Sequence, residues 1–112
     1  MTANAIHADL AGGRWQTMSL PAQLANIGSE VERAIRAHRA ANTPRFEGAF
    51  ARALELFDLT ATDPRWRGPR RREILRAREL FCALFYAASP AVGDADFLSR
   101  YFLQFAVIAR RN

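Results

Sequence analysis

Residues 49–63, AFARALELFDLTATD, decide the fold. At about 100° per residue, with Phe46 as reference, Ala49, Phe50, Ala53, Leu54, Leu56, Phe57 and Ala61 project into one wide sector. Glu47, Arg52, Glu55 and Asp58 project away from it. An apolar stripe covering nearly half a helix needs neighbours on more than one side. The stretch therefore calls for several helices packed around it, and the chain on either side supplies them. The expected fold is all-α: an antiparallel up-down four-helix bundle over residues 15–112, preceded by a short, loosely ordered tail at 1–14.

Upstream, a helix is expected over 20–41, with Ser19 as N-cap and Pro21 in the first turn, where its missing N–H is harmless. Leu24, Ile27, Val31, Ala34, Ile35 and His38 make its inner face, and Gly28 beside them has two readings of equal weight, a close helix crossing or plain tolerance of a residue that costs about 1 kcal/mol in a helix. Trp15 and Met18 anchor the entry to this helix on the end of the bundle. At Asn42-Thr43-Pro44, Asn suits the left-handed position after a helix, Thr the next N-cap and Pro the first helical residue. So short a connection forces an antiparallel hairpin.

Downstream, the second helix stops before Asp63-Pro64. The third is expected over 70–88, with Gly68 near its N-cap and Ile74, Ala77, Phe81, Leu84 and Phe85 inward, and Ser89-Pro90 ends it. Asp94 or Asp96 opens a fourth helix that runs to about 110, with Phe97, Leu98, Tyr101, Phe102, Phe105 and Ile108 inward.

Composition sets the outer bounds. A chain of 112 residues, 50% hydrophobic and carrying eight Phe, has enough bulky apolar material for one core without covalent staples. The longest apolar runs fall well short of the roughly 20 residues a membrane-spanning helix needs. No basic segment followed by a long apolar run opens the chain, so a cytoplasmic location is expected. Cys82 is the only cysteine, which leaves no internal disulfide and no cysteine-rich metal site. No Gly-rich phosphate loop, HExxH, GxSxG or paired-cysteine motif appears, so neither a cofactor nor a metal is expected and enzymatic activity is disfavoured.

The net charge of +5 is concentrated in one place. Residues 65–78 hold seven arginines against Glu73 alone, so the remainder of the chain is close to neutral. Arg65, Arg67, Arg70, Arg71 and Arg72, with Trp66 as a stacking platform, form a candidate nucleic-acid or anionic-ligand site. Arg70, Arg71 and Arg72 also sit at the positive end of the third helix, while Asp58 and Asp63 lie toward the negative end of the second. Cross-pairing within the hairpin is expected to relieve both. Arg78, on the inner face of its helix, needs a partner: it either lines an internal anion or ligand site, pairs with a bundle acid such as Glu30 or Glu32, or reaches solvent along its stem.

The fourth helix is apolar nearly all round, because Leu103, Ala106 and Val107 lie opposite its inner face. A four-helix monomer has no use for that second stripe, so it is the candidate interface with a second copy or a protein partner.

Three blocks, LANIGSEVERAI at 24–35, AFARALELFDLTATDPR at 49–65 and RYFLQFAVIAR at 100–110, resemble a family of small bacterial and archaeal helical proteins of unassigned function. The resemblance spans most of residues 15–111 and implies a single compact helical domain. Arg33 and His38 form R-x4-H, which is similar to the ribonuclease motif of the HEPN helical bundles. That likeness implies an RNA-cleaving pair. Here, however, the motif lies on the first helix, Ala34 follows the arginine, and the two side chains stand about 140° apart, so only paired subunits would bring them together. Three functions are carried forward: a non-enzymatic, self-associating interaction module; a nucleic-acid or anion binder using residues 65–72; and a HEPN-like ribonuclease.

Overall fold

The computed structural model describes residues 13–87 and 93–111. A 3-10 turn, Trp15–Thr17, leads into α1, Leu20–Arg39. Next come α2, Thr43–Ala61, a second 3-10 turn, Pro64–Trp66, then α3, Pro69–Tyr86, and α4, Asp94–Arg111. The fold is thus all-helical with four helices and no strand among the described residues. The tail expected for 1–14, apart from Gly13 and Arg14, lies outside the described residues, as does the helix stop at Ser89-Pro90.

Local chemistry sets the helix ends. Ser19 Oγ accepts from the Ala22 N–H at 3.3 Å and starts α1, and Arg36, His38 and Arg39 complement the negative end of its dipole. The α1–α2 connection differs by one residue from expectation. Ala41, not Asn42, takes the left-handed backbone, at φ 53°. Asn42 instead turns its side-chain oxygen to the Arg45 N–H at 3.3 Å and caps α2. The cap satisfies an otherwise orphaned donor, which offsets the strain of an alanine at positive φ.

Side-chain pairs give the direction of two helix hairpins. Along α1 and α2, Gln23 meets Asp63, Glu30 meets Arg52 and His38 meets Phe46, so the sequence runs down one helix as it runs up the other. Along α2 and α3, Phe46 meets Phe85, Phe50 meets Phe81 and Asp58 meets Arg78 in the same opposed order. α4 lies against α1 at Gly28, and Tyr101 of α4 donates its hydroxyl to the Glu73 carboxylate of α3.

The centre of the packing is α1. It buries ten residues and α2 seven, whereas α3 and α4 bury two each, Ile74 with Phe81 and Leu98 with Phe102. The broad stripe at 49–63 is covered, but the helix with neighbours on most sides is the one before it. Phe57 and Phe81 are fully buried and in contact. Each is worth about 2–3 kcal/mol by area removed from water. At Gly28 a Cβ would stand 2.6 Å from Phe102 Cβ, so the bare glycine is what lets α1 and α4 approach, which favours the close crossing over the other reading of this residue. Two positions expected inward on α4, Phe97 and Ile108, are exposed instead. α4 presses chiefly on α1, so only Leu98 and Phe102 are fully covered, with Ala95, Tyr101 and Phe105 partly buried beside them.

Candidate functional site

The junction of α2 and α3 is built around one carboxylate. Asp63, 1% exposed, accepts from the Arg65 backbone N–H at 3.0 Å, from Arg65 Nη2 at 2.8 Å and from Gln23 Nε2 at 3.2 Å. The Arg65 guanidinium holds this carboxyl at about 2, below the ordinary 3.8, against the opposing pull of burial. Gln23 extends the network. Its amide donates to the Trp15 carbonyl and its oxygen accepts from Trp66 Nε1, each at 2.8 Å. Trp15 in turn donates its indole N–H to Thr60 Oγ1 at 2.8 Å. The network ties the start of α1, the end of α2 and the turn before α3 into one unit.

This geometry divides the candidate anion-binding residues. Arg65 is engaged by Asp63 and donates to the Met18 carbonyl, and its guanidinium lies 4.5 Å from the centre of the Trp66 ring. One face of that indole is therefore already covered. Arg71 reaches the Asp63 carbonyl at 3.2 Å. Arg67, Arg70 and Arg72 are exposed and make no side-chain hydrogen bond or ion pair among the described residues. They stand at the start of α3, where Gly68, at φ 76°, supplies no side-chain cap and leaves backbone N–H groups open.

The cross-pairing expected of the hairpin takes a more limited form. The Asp63 carboxylate pairs with Arg65 and Asp58 pairs with Arg78 at 3.0 Å, while Arg71 reaches only the Asp63 backbone carbonyl, so neither acid pairs with an arginine of the first turn. The partner of Arg78 is thus Asp58. Glu30 is taken by Arg33 at 2.7 Å and Arg52 at 3.0 Å.

On α4, Leu103 is 56% exposed and Val107 42%, with Ala106 half-buried beside them. Asp96, Leu103 and Arg110 follow one another at seven-residue steps and therefore lie almost in line along the helix, with Ala106 and Val107 to either side. Asp96 and Arg110 make no ion pair with each other or with any other described residue. Phe97, 53% exposed, and Ile108 lie on the far flank of the same helix.

The R-x4-H pair is not brought together within one chain. Arg33 is held by Glu30, while the His38 ring rests on Phe46 and Phe85 with centroids 5.2 and 4.9 Å away. Cys82 is half-buried, and burial pushes its thiol up, away from the thiolate. Among the described residues, no group of three or more His, Cys, Asp or Glu side chains could hold a metal ion, and no helix is long and apolar enough to cross a membrane. The class defined here is an all-helical four-helix protein with an open apolar face and a basic helix junction. Comparison with protein-family models, curated proteins and solved structures finds no match to this chain.

Proposed function

We propose that this protein is a non-enzymatic interaction module of the cytoplasm that associates with a second copy of itself through the outer face of α4. The observation that carries the reading is the line Asp96, Leu103, Arg110 together with the exposure of Leu103 and Val107. Two copies of α4 crossing antiparallel about Leu103 would set Asp96 of each beside Arg110 of the other. They would also cover Leu103, Ala106 and Val107 of both. Such a contact is self-complementary, as a two-fold interface must be, and its charge pairing excludes the parallel arrangement, in which like ends would meet.

Light scattering tests it. The unmodified protein is expected to be a dimer and Leu103→Glu a folded monomer. Asp96→Arg or Arg110→Asp alone should weaken the dimer, because each change acts twice across the two-fold axis. Asp96→Arg with Arg110→Asp should restore it. A protein that is monomeric at high micromolar concentration, or a double variant no tighter than the singles, would refute the interface.

A second reading, binding of the RNA or DNA backbone at residues 65–72, is supported by the unpaired side chains of Arg67, Arg70 and Arg72 beside open helix N–H groups. Arg65, Trp66 and Arg71 would frame that site rather than contact phosphate. Binding should be weak and without sequence preference, with a log–log salt slope of about −2 to −3 for three phosphate contacts. Arg67→Gln, Arg70→Gln and Arg72→Gln together should abolish it. Filter binding at low ionic strength that detects no complex would remove this reading.

A further inference from the structure

Between the C-terminal half of α1 and the N-terminal half of α2 lies a groove of about 820 Å³, bordered by Arg33, Arg36, Arg45 and Arg52, with Ala40 and Pro44 as its exposed apolar lining. Its size falls within the roughly 300–1,000 Å³ of small-molecule clefts. Glu30, buried on α1, accepts from Arg33 Nη1 and from Arg52 Nε and so fixes two of the four guanidinium groups. The side chains of Arg36 and Arg45 have no hydrogen-bond or ion-pair partner among the described residues. Four guanidinium charges against one carboxylate leave the groove with a formal +3.

Gly48 adds an independent observation. Helix interiors disfavour glycine, yet here a Cβ would stand only 3.2 Å from Arg52 Nη1. The Arg52 guanidinium therefore packs closely over the bare glycine, and an alanine there would shift it by a few tenths of an ångström.

The geometry points to a binding site for a small organic phosphate, with the phosphoryl group among the arginines and the carbon body on the exposed apolar lining of Ala40 and Pro44. Guanidinium forks match phosphate oxygens two at a time. A single carboxylate would leave most of the positive charge unanswered, whereas a phosphate or diphosphate brings two or three negative charges. Inorganic phosphate would leave the apolar part of the cleft empty.

The probe is 1-naphthyl phosphate, titrated by calorimetry at low ionic strength. It should bind one per chain and at least about tenfold more tightly than inorganic phosphate, because the ring buries apolar surface. Arg36→Gln with Arg45→Gln should weaken it by at least about tenfold, the loss expected from removing charge-assisted hydrogen bonds. Both residues project from the helices, so the fold should survive, and Arg45→Glu alone provides a second variant with the same expected loss. The variant with Arg67, Arg70 and Arg72 replaced by Gln should bind as the unmodified protein does. Undiminished affinity in the Arg36/Arg45 variants would overturn the proposal. So would equal affinity for naphthyl and inorganic phosphate, or a loss confined to the Arg67/Arg70/Arg72 variant.

Discussion

Replacing Asp63 by Asn should destabilise the protein more than any other single isosteric change at the helix junction. One carboxylate oxygen faces the backbone N–H and Nε of Arg65, and the other faces Arg65 Nη2 and Gln23 Nε2. Whichever way an asparagine amide is turned, its NH2 group meets donors, and a buried donor goes without an acceptor. Breaking a fully buried ion pair costs about 3–5 kcal/mol. Arg65 is 38% exposed and its charge is partly screened, so about 2–3 kcal/mol is expected here.

The acid dependence gives a second estimate. A carboxyl held at about 2 instead of 3.8 stabilises the fold by about 2 kcal/mol wherever both states are ionised. Because the folded value is the lower one, that contribution is complete above the unfolded value. It fades as pH falls from about 4 and is gone once the folded carboxyl protonates near 2. Urea unfolding, followed by far-UV circular dichroism and by the emission of Trp15 and Trp66, should show the two proteins well separated at neutral pH and converging in acid. Curves that run parallel across that window, or a neutral-pH difference below about 0.5 kcal/mol, would refute the central role of this carboxylate.

Gly28→Ala should lower the melting temperature although alanine is the better helix former by about 1 kcal/mol, because its methyl would overlap Phe102 and force α1 and α4 apart, at a typical cost of 1–3 kcal/mol. An unchanged or higher melting temperature would mean that the two helices yield freely at this point. In hydrogen exchange, the amides of α1 should be the slowest and those of α3 markedly faster, since α3 buries only Ile74 and Phe81. Equal protection of the two helices would contradict the uneven packing.

Much of the architecture was readable from the sequence because it depends on local rules. Ser19, the Asn42-Thr43-Pro44 turn and Asp94 mark helix ends through chemistry that acts within a few residues, and the apolar periods mark the faces. What the sequence left hidden depends on how the helices meet. Gln23 lies four residues before Ile27, and Thr60 three after Phe57, so both are polar residues at core positions. That is a signal for a buried network, but their partners follow from the α1–α2 register, which no single helix specifies. The same holds for the arginine groove. Taken alone, Arg52 simply points away from the core of α2, and only the hairpin sets it beside Glu30 and Arg33. Arg78 finds Asp58 rather than Glu30 for the same reason. Phe97 and Ile108 looked inward because their spacing is apolar and helical, yet the covered face of α4, from Leu98 and Phe102 to the half-buried Tyr101 and Phe105, leaves both outside it.

The uneven covering has a consequence for where new contacts can form. Among the described residues, the six large apolar side chains left exposed, Leu75, Tyr86, Phe97, Leu103, Val107 and Ile108, belong to α3 and α4. α1 and α2 cover each other and share the interior, so their outer surfaces are free to carry charge. Arg33, Arg36, Arg45 and Arg52 crowd one such surface with Glu30 alone to hold two of them in place. Crowding four guanidinium groups this way costs stability through mutual repulsion, and no packing gain appears at Arg36 or Arg45 to offset it. Apolar surface on the outer helix pair and guanidinium charge on the inner pair are both left unsatisfied by the fold itself. Each is relieved by a different kind of binding, burial of apolar area for the first and a multivalent anion for the second, so the two surfaces should respond to separate sets of substitutions.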